Sequence, residues 1–251
     1  MAFEQVPIFI INLDSCTERF ERVATRLNGL DLNFERVSAV NGRTLSKEEK
    51  QKVSPKRSWL PLSDAEIACY MSHMKAIRLV VDRALPRAII LEDDALFDED
   101  FPLWASSECP LPEDMDILKF EGFGAKNTIK IPISTYANRT IQFSYKPTGG
   151  AAAYLITLDG ARKALQKLDI MSAQVDHDLF AYWKFGFRVY EVAPFPARQE
   201  GSASTIAHWT GKRPLRMKVE RYLLKSFDKA GRLYLSVKWF GVGALLTAVR
   251  P

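Results

Sequence analysis

The chain has 251 residues, a net charge of +5, 47% apolar and 26% charged residues, and 13 each of Gly and Pro. Those values fit a globular protein long enough for one large domain, and exclude a disordered, collagenous or disulfide-framework chain. Cys16, Cys69 and Cys109 are sparse, odd in number and without metal-knuckle spacing; with no basic segment leading a long apolar core and no run of about 20 apolar residues, the expectation is a cytoplasmic protein that does not span a membrane.

The chain opens with Pro7–Asp14, an apolar run read as a buried strand with Asn12 and Asp14 at its exit. Ser15 or Thr17 is placed to cap a helix to about Leu30, with Phe20, Val23 and Leu27 facing inward. Phe34–Val40 alternates and stops at Asn41-Gly42, which makes the opening a β-α-β unit with parallel strands. Residues 44–62 read as polar and irregular. Ser63 and Glu66 then form a capping box for a helix whose apolar stripe is Ile67, Met71, Met74, Ile77 or Arg78, and Val81, with Ser72 and His73 beside it.

After Pro86, the run Ala88–Leu91 has no polar face, as a strand buried on both sides would. It ends in three carboxylates, Glu92, Asp93 and Asp94. Ligands of open α/β sheets bind beyond the carboxyl ends of strands, and three adjacent carboxylates repel one another unless a cation lies among them. Oxygen ligands of this kind suit Mg²⁺ or Mn²⁺ shared with phosphate oxygens.

Asp98–Pro112 reads as loop with one helical turn, Asp116–Phe120 as a strand with exit loop Glu121–Gly124, and residues 127–145 as a hairpin. Gly149-Gly150 leads into the small-residue strand Ala151–Ile156, where a ligand can approach the backbone closely; no Lys-Ser/Thr follows, which excludes a phosphate-binding P-loop. Thr157 caps a helix through Leu168. Asp176 and Asp178 form a second acidic cluster, expected on a strand-exit loop. The aromatics from Phe180 to Phe187 are read as core. Phe187–Val192 is the last strand, and a polar loop carries His208.

From Lys212 to Pro251 ten Lys/Arg face Glu220 and Asp228, a charge of +8 that leaves −3 on the body. Basic and apolar residues alternate there as in an amphipathic helix, broken near Gly231. The expected placement is a segment in the headgroup plane of an anionic membrane; the alternative is a helical pair packed on the domain with a solvated basic face. Nucleic acid is not an expected partner, because the body is acidic and carries no nucleic-acid motif.

Ile11-Asn-Leu-Asp14 with Glu18-Arg19, Ala39-Val-Asn-Gly42, Glu66-Ile-Ala-Cys-Tyr-Met-Ser-His73, Ile89-Ile-Leu-Glu-Asp-Asp94, Gly150-Ala-Ala-Ala-Tyr-Leu-Ile156 with Gly160-Ala161, and Val175-Asp176 follow one another in fixed order. In that order and spacing the chain resembles the family 25 glycosyltransferases of bacterial lipopolysaccharide biosynthesis, over most of residues 6 to about 210. The resemblance implies a GT-A-like α/β domain (1–211) with a mostly parallel central sheet; the basic helical tail read from the residues (212–251) follows it. It implies a hexosyltransferase using a nucleotide-sugar donor, UDP-linked, and a divalent ion, Mn²⁺ or Mg²⁺. The acceptor would be a lipid-linked oligosaccharide met at the inner membrane, with inversion at the transferred sugar. Here the family's Asp-x-Asp reads Glu92-Asp93-Asp94, and its Asp-Gly reads Asn41-Gly42.

On that basis the donor side is assigned to Asn12, Asp14, Arg19, Asn41, Gly42, Ser72, His73, Glu92, Asp93, Gly149 and Gly150. The metal is assigned to Asp94, Glu92 and His208, and the general base to Asp176 or Asp178. A metal-dependent phosphohydrolase or nucleotidyltransferase on the same acidic strand end is the alternative. A glycoside hydrolase is disfavoured, because a run of three acids is a poor setting for a protonated carboxyl.

Overall fold

The structure is a computed structural model that describes residues 4–54, 62–124, 128–201 and 215–248. In chain order the elements are β1 (Ile8–Asn12), α1 (Thr17–Asn28), β2 (Glu35–Ser38), α2 (Lys47–Val53), α3 (Asp64–Asp82), β3 (Arg87–Glu92), β4 (Ala95–Phe97), α4 (Phe101–Trp104) and β5 (Ile117–Lys119). They continue as β6 (Lys130–Tyr136), β7 (Arg139–Ser144), β8 (Ala153–Thr157), α5 (Leu158–Lys167), α6 (Val175–Leu179), α7 (Tyr182–Phe185), β9 (Val189–Ala193), β10 (Ala197–Gln199) and α8 (Leu215–Thr247).

Eight strands form one sheet in the order β2-β1-β3-β8-β5-β9-β7-β6, and β10 pairs with β4 in a small ribbon. The pairings β1–β2, β1–β3 and β5–β9 are parallel, and those on both sides of β8 are antiparallel. Six of the eight strands therefore run the same way, with β8 and β7 reversed, so the sheet is mostly parallel as expected. Every residue of β1 is buried, as are the four apolar residues of β3. Both are unbroken apolar runs of the sequence, and a strand covered on both faces explains why they lack alternation. The β1-to-β2 crossover and β3 bring Asn12, the loop after Ser38 and Glu92 to one edge of the sheet.

Several local expectations need correction. Neither Ser15 nor Thr17 caps α1; Cys16 occupies the N-cap, with no side-chain hydrogen bond. The stretch 44–62 is not wholly irregular, because Ser46 and Glu49 form a capping box that starts α2, a helix with no buried residue. Residues 55–61 lie outside the described residues. The Ser63–Glu66 box is present as expected. On α3, however, the buried stripe is Ile67, Tyr70, His73, Ile77 and Val80 with Ala76, while Met71, Met74 and Val81 are only partly covered. His73 is therefore at the centre of the packed face, not beside it. Thr157 accepts from the Gly160 N–H and caps α5 as read from the sequence.

The tail helix runs through Gly231 and breaks instead at Gly241, whose φ of 78° is non-helical. At Gly231 a Cβ would lie 3.4 Å from Trp183, so glycine there allows close packing of α8 on α7. Trp239 and Phe240 pack against Phe143, Ser236 shares a hydrogen bond with the Tyr182 hydroxyl, and the Trp183 indole donates to Asp228. One side of α8 thus rests on the domain. Among the described residues no helix is long and apolar enough to cross a membrane.

Candidate active site

Beyond the carboxyl ends of β1 and β3 lies a cleft of about 680 Å³, lined by Asn12, Cys16, Arg19, Asn41, Gly42, Cys69, Ser72, His73, Glu92 and Asp93 among others. Each wall follows from local sequence. Asn12 closes β1 with its amide buried; the Nδ2 donates to Asp93 Oδ2 at 2.6 Å and to the Cys16 carbonyl at 3.0 Å, while Oδ1 accepts from Arg36. Gly42 is needed for close approach, since a Cβ there would sit 2.6 Å from the Asp64 carbonyl oxygen. Ser72 accepts from the Val40 N–H at 2.8 Å and donates to the Ala68 carbonyl, fastening the loop after β2 to α3. Ser72 is accordingly a strut of the cleft wall.

The acidic triplet divides by role. Asp93 is paired with the Arg19 guanidinium and with Asn12, so its charge is already met. Glu92 accepts or shares a hydrogen bond with His73 Nε2 at 3.1 Å, and His73 Nδ1 meets the Tyr154 hydroxyl at 3.0 Å. Asp94 has Arg19 at 3.3 Å, but its Oδ1 is buried without a hydrogen-bond partner. Burial, reinforced by Glu92, raises the Asp94 carboxyl from its ordinary value to about 6, against the pull of Arg19. A buried, unmatched carboxylate oxygen next to a second carboxylate is what a hard cation would complete, so the donor set fits Mg²⁺ or Mn²⁺.

A second group gathers around Gly150. Its φ is +89°, and a Cβ would lie 2.5 Å from Glu121 Oε1, which makes glycine obligatory. The Gly150 N–H donates to Asp176 Oδ2 at 2.9 Å, and the Ala152 N–H donates to Glu121 Oε1 at 2.9 Å. Beneath the loop the fully buried Lys119 ammonium donates to the carbonyls of Thr148, Gly149 and Gly150. Burial lowers the Lys119 pKa, while Glu191, Glu121 and Asp176 oppose that shift. Burial also raises Glu121 to about 7, against Lys119, with Glu92 and Asp176 adding to the rise.

The structure therefore brings Asn12, Arg19, Asn41, Gly42, Ser72, His73, Glu92 and Asp93 to one cleft. It sets Gly149 and Gly150 apart from that lining, with Glu121 and Asp176. Asp14 is largely exposed and accepts from Ser38 Oγ, outside the cleft. Asp176 and Asp178 are on the short helix α6, not on a strand-exit loop. Asp178 is fully buried, and its oxygens accept from the Ser172 and Ala173 N–H groups and the Ser172 hydroxyl. That carboxylate braces the α5–α6 connection. His208 lies outside the described residues. Sequence reading passed over Lys119 and Arg36; the signal for Lys119 was a charge inside an apolar strand, whereas Arg36 lay in an ordinary alternating strand with no signal.

A family model described as "Glycosyltransferase family 25 (LPS biosynthesis protein)" matches residues 5–179. The chain belongs to glycosyltransferase family 25. The matched span runs from the start of β1 to the end of α6 and so contains both groups of site residues. Among curated relatives, this glycosyltransferase is 27% identical over 204 residues to the "Lacto-N-neotetraose biosynthesis glycosyltransferase LgtE" of Neisseria meningitidis, covering 76% of this chain and 73% of that one. It is 28% identical over 205 residues to the "Lipooligosaccharide biosynthesis protein lic2B" of Haemophilus influenzae, covering 77% and 76%. The mouse "Procollagen galactosyltransferase 2" is 28% identical over 180 residues, 65% of this chain but 27% of that protein.

Proposed function

We propose that this family 25 enzyme transfers a hexose from a nucleoside diphosphate sugar to a growing lipooligosaccharide, with inversion and with a divalent ion at the acidic triplet. The observation that carries the reading is the unpartnered, buried Oδ1 of Asp94, a residue outside the cleft lining but ion-paired with Arg19, which walls the cleft together with Gly42, Glu92 and Asp93. The names of the relatives support the acceptor class, and that of the procollagen enzyme supports galactose as the transferred hexose.

Asp94 and Glu92 would hold the ion. When bound, it offsets negative charge on the departing diphosphate. The chain supplies the rest. Asn12 and Arg19 occupy both oxygens of Asp93, which leaves the ion to Asp94 and Glu92. Gly42 lets the loop after β2 close against the start of α3, which shapes the wall along which the nucleotide would lie. Asp176 is the base: as the acceptor oxygen bonds to the anomeric carbon and the glycosidic bond to phosphate breaks, the hydroxyl proton passes to its carboxylate. Glu121, across Gly150, is the reserve candidate. The alternative of a phosphohydrolase would show nucleotide turnover without acceptor at a rate comparable to the best acceptor.

The tail supports attachment to an anionic membrane. Tyr222, Phe227, Leu233 and Tyr234 are more than half exposed on α8 and interleave with Lys225, Lys229 and Lys238. Each basic residue at such a surface contributes about 1 kcal/mol. The full-length protein is expected to sediment with anionic vesicles at low salt, and Phe227→Glu with Tyr234→Glu to abolish this without lowering thermal stability. Failure of the native protein to sediment would make the tail purely structural.

Thermal stabilisation by a panel of nucleotide sugars, with and without Mn²⁺, tests donor and ion together, since a ligand of the native state raises its stability. The reading expects a Mn²⁺-dependent shift with a UDP-hexose. No shift with any nucleotide sugar would contradict it.

A further inference from the structure

Cys69 and His73 are one helical turn apart on α3, so their side chains lie on the same face. Glu92 ends β3 directly opposite. The Cys69 sulfur, a His73 ring nitrogen and a Glu92 carboxylate oxygen all lie within 4.8 Å of one another. All three residues line the cleft. We propose that Cys69, His73 and Glu92 form a binding site for a soft divalent ion of the zinc class, beside the hard-ion site at Asp94.

The ligand chemistry separates the two ions. Thiolate with imidazole and one carboxylate is a zinc set, whereas Mg²⁺ and Mn²⁺ prefer oxygen alone. The imidazole is already oriented as metal-bound imidazoles are: the Tyr154 hydroxyl engages Nδ1 at 3.0 Å and leaves Nε2 pointing at Glu92. Without an ion, Nε2 and Glu92 satisfy each other, which keeps the pocket preformed. Three protein ligands at a solvent-connected cleft leave a fourth position open. The surroundings are anionic: Glu92, Asp176, Asp94 and Glu66 all repel a thiolate at Cys69. A cation at the sulfur relieves that repulsion. On binding, the S–H bond breaks, the sulfur–metal bond forms and the proton leaves to solvent, so affinity increases with pH.

One consequence rests on the glycosyl-transfer reading. Glu92 serves both ions, so zinc at Cys69 withdraws an oxygen from the hard-ion site and opposes Mn²⁺-dependent donor binding.

Co²⁺ is the probe, because a thiolate bound to it gives a near-ultraviolet charge-transfer band that oxygen ligands do not. Native protein titrated with Co²⁺ is expected to develop the band, Zn²⁺ to bleach it, and Cys69→Ser to lack it. Zn²⁺ affinity, read by competition with a chromophoric chelator, should fall in Cys69→Ser by more than the roughly 10- to 100-fold that loss of an outer-shell partner costs. A measurement without any variant accompanies it: Zn²⁺ should slow alkylation of Cys69 in the native protein, scored by peptide mass spectrometry. A missing band, an unchanged affinity in Cys69→Ser, or alkylation indifferent to Zn²⁺ would each overturn the site. Mn²⁺ produces no such band, so loss of donor binding and loss of this site are told apart directly.

Discussion

Replacing Asp94 by Asn separates what the site costs from what it does. The Asp94 side chain is 14% exposed, one oxygen has no hydrogen-bond partner, and the carboxyl is raised from 3.8 to about 6 in the folded protein. The folded value lies above the unfolded one, so ionisation penalises the fold. Stability is undiminished below about pH 4, falls as pH rises through about 6, and stays reduced above it. A rise of about two pH units at about 1.4 kcal/mol each amounts to about 3 kcal/mol. Asn keeps the shape and cannot ionise. In the absence of divalent ions Asp94→Asn is therefore expected to match the native protein near pH 4 and to exceed it by up to about 3 kcal/mol near pH 7.5. For a chain of this size that is roughly 6–12 °C in Tm. Urea unfolding followed by tryptophan fluorescence across this range, with chelator present, measures the difference. Nucleotide sugar with Mn²⁺ should then stabilise the native protein and leave the variant unchanged. A variant less stable than native near pH 7.5, or a gap independent of pH, would refute the reasoning.

Three further outcomes follow from the second group of residues. Asp176→Asn should keep donor binding and lose turnover by about 10²- to 10⁴-fold; calorimetry showing that donor affinity collapses with turnover would reassign Asp176 to binding and make Glu121 the base. Glu121, raised to about 7 chiefly by burial, should behave in the same direction as Asp94, so Glu121→Gln gains stability relative to native protein as pH rises through 7; thermal melts at pH 5 and pH 8.5 check the sign. Gly150→Ala should cost at least about 1–3 kcal/mol from the left-handed backbone alone, with the contact to Glu121 added; denaturant midpoints equal to native would show that the loop repacks freely.

How much of this was legible depends on the range of the interaction. The paired capping signals Ser63–Glu66 and Thr157 are local chemistry and were read correctly, as were the buried strands around Ile8–Asn12 and Arg87–Glu92. Ser46–Glu49 is the same box, yet no apolar stripe follows it, so α2 left only its cap as a signal. The α3 stripe was misplaced because Met71 and Met74 match helical spacing as well as Tyr70, His73 and Ala76 do. What selects the second set is packing against β3, β8 and α5, which periodicity does not contain. The same limit governs Asp176 and Asp178. Two residues apart, they look equivalent, and only the Ser172 and Ala173 amides, folded back onto Asp178, make one structural while Gly150 engages the other. Lys119 could have been found as a charge in an apolar strand; that three loop carbonyls receive it could not. The break of α8 falls at Gly241 and not at Gly231, where Trp183 packs against the helix, a tertiary contact the sequence does not display.

The most direct test of the central claim is product analysis with native protein, Mn²⁺, a UDP-hexose and a truncated lipooligosaccharide acceptor, run beside Asp94→Asn. The account predicts a glycosylated acceptor with inverted anomeric configuration by NMR, formed only by the native protein, with little UDP release when acceptor is left out. Nucleotide cleavage at a comparable rate without acceptor, or undiminished transfer by Asp94→Asn, would contradict it.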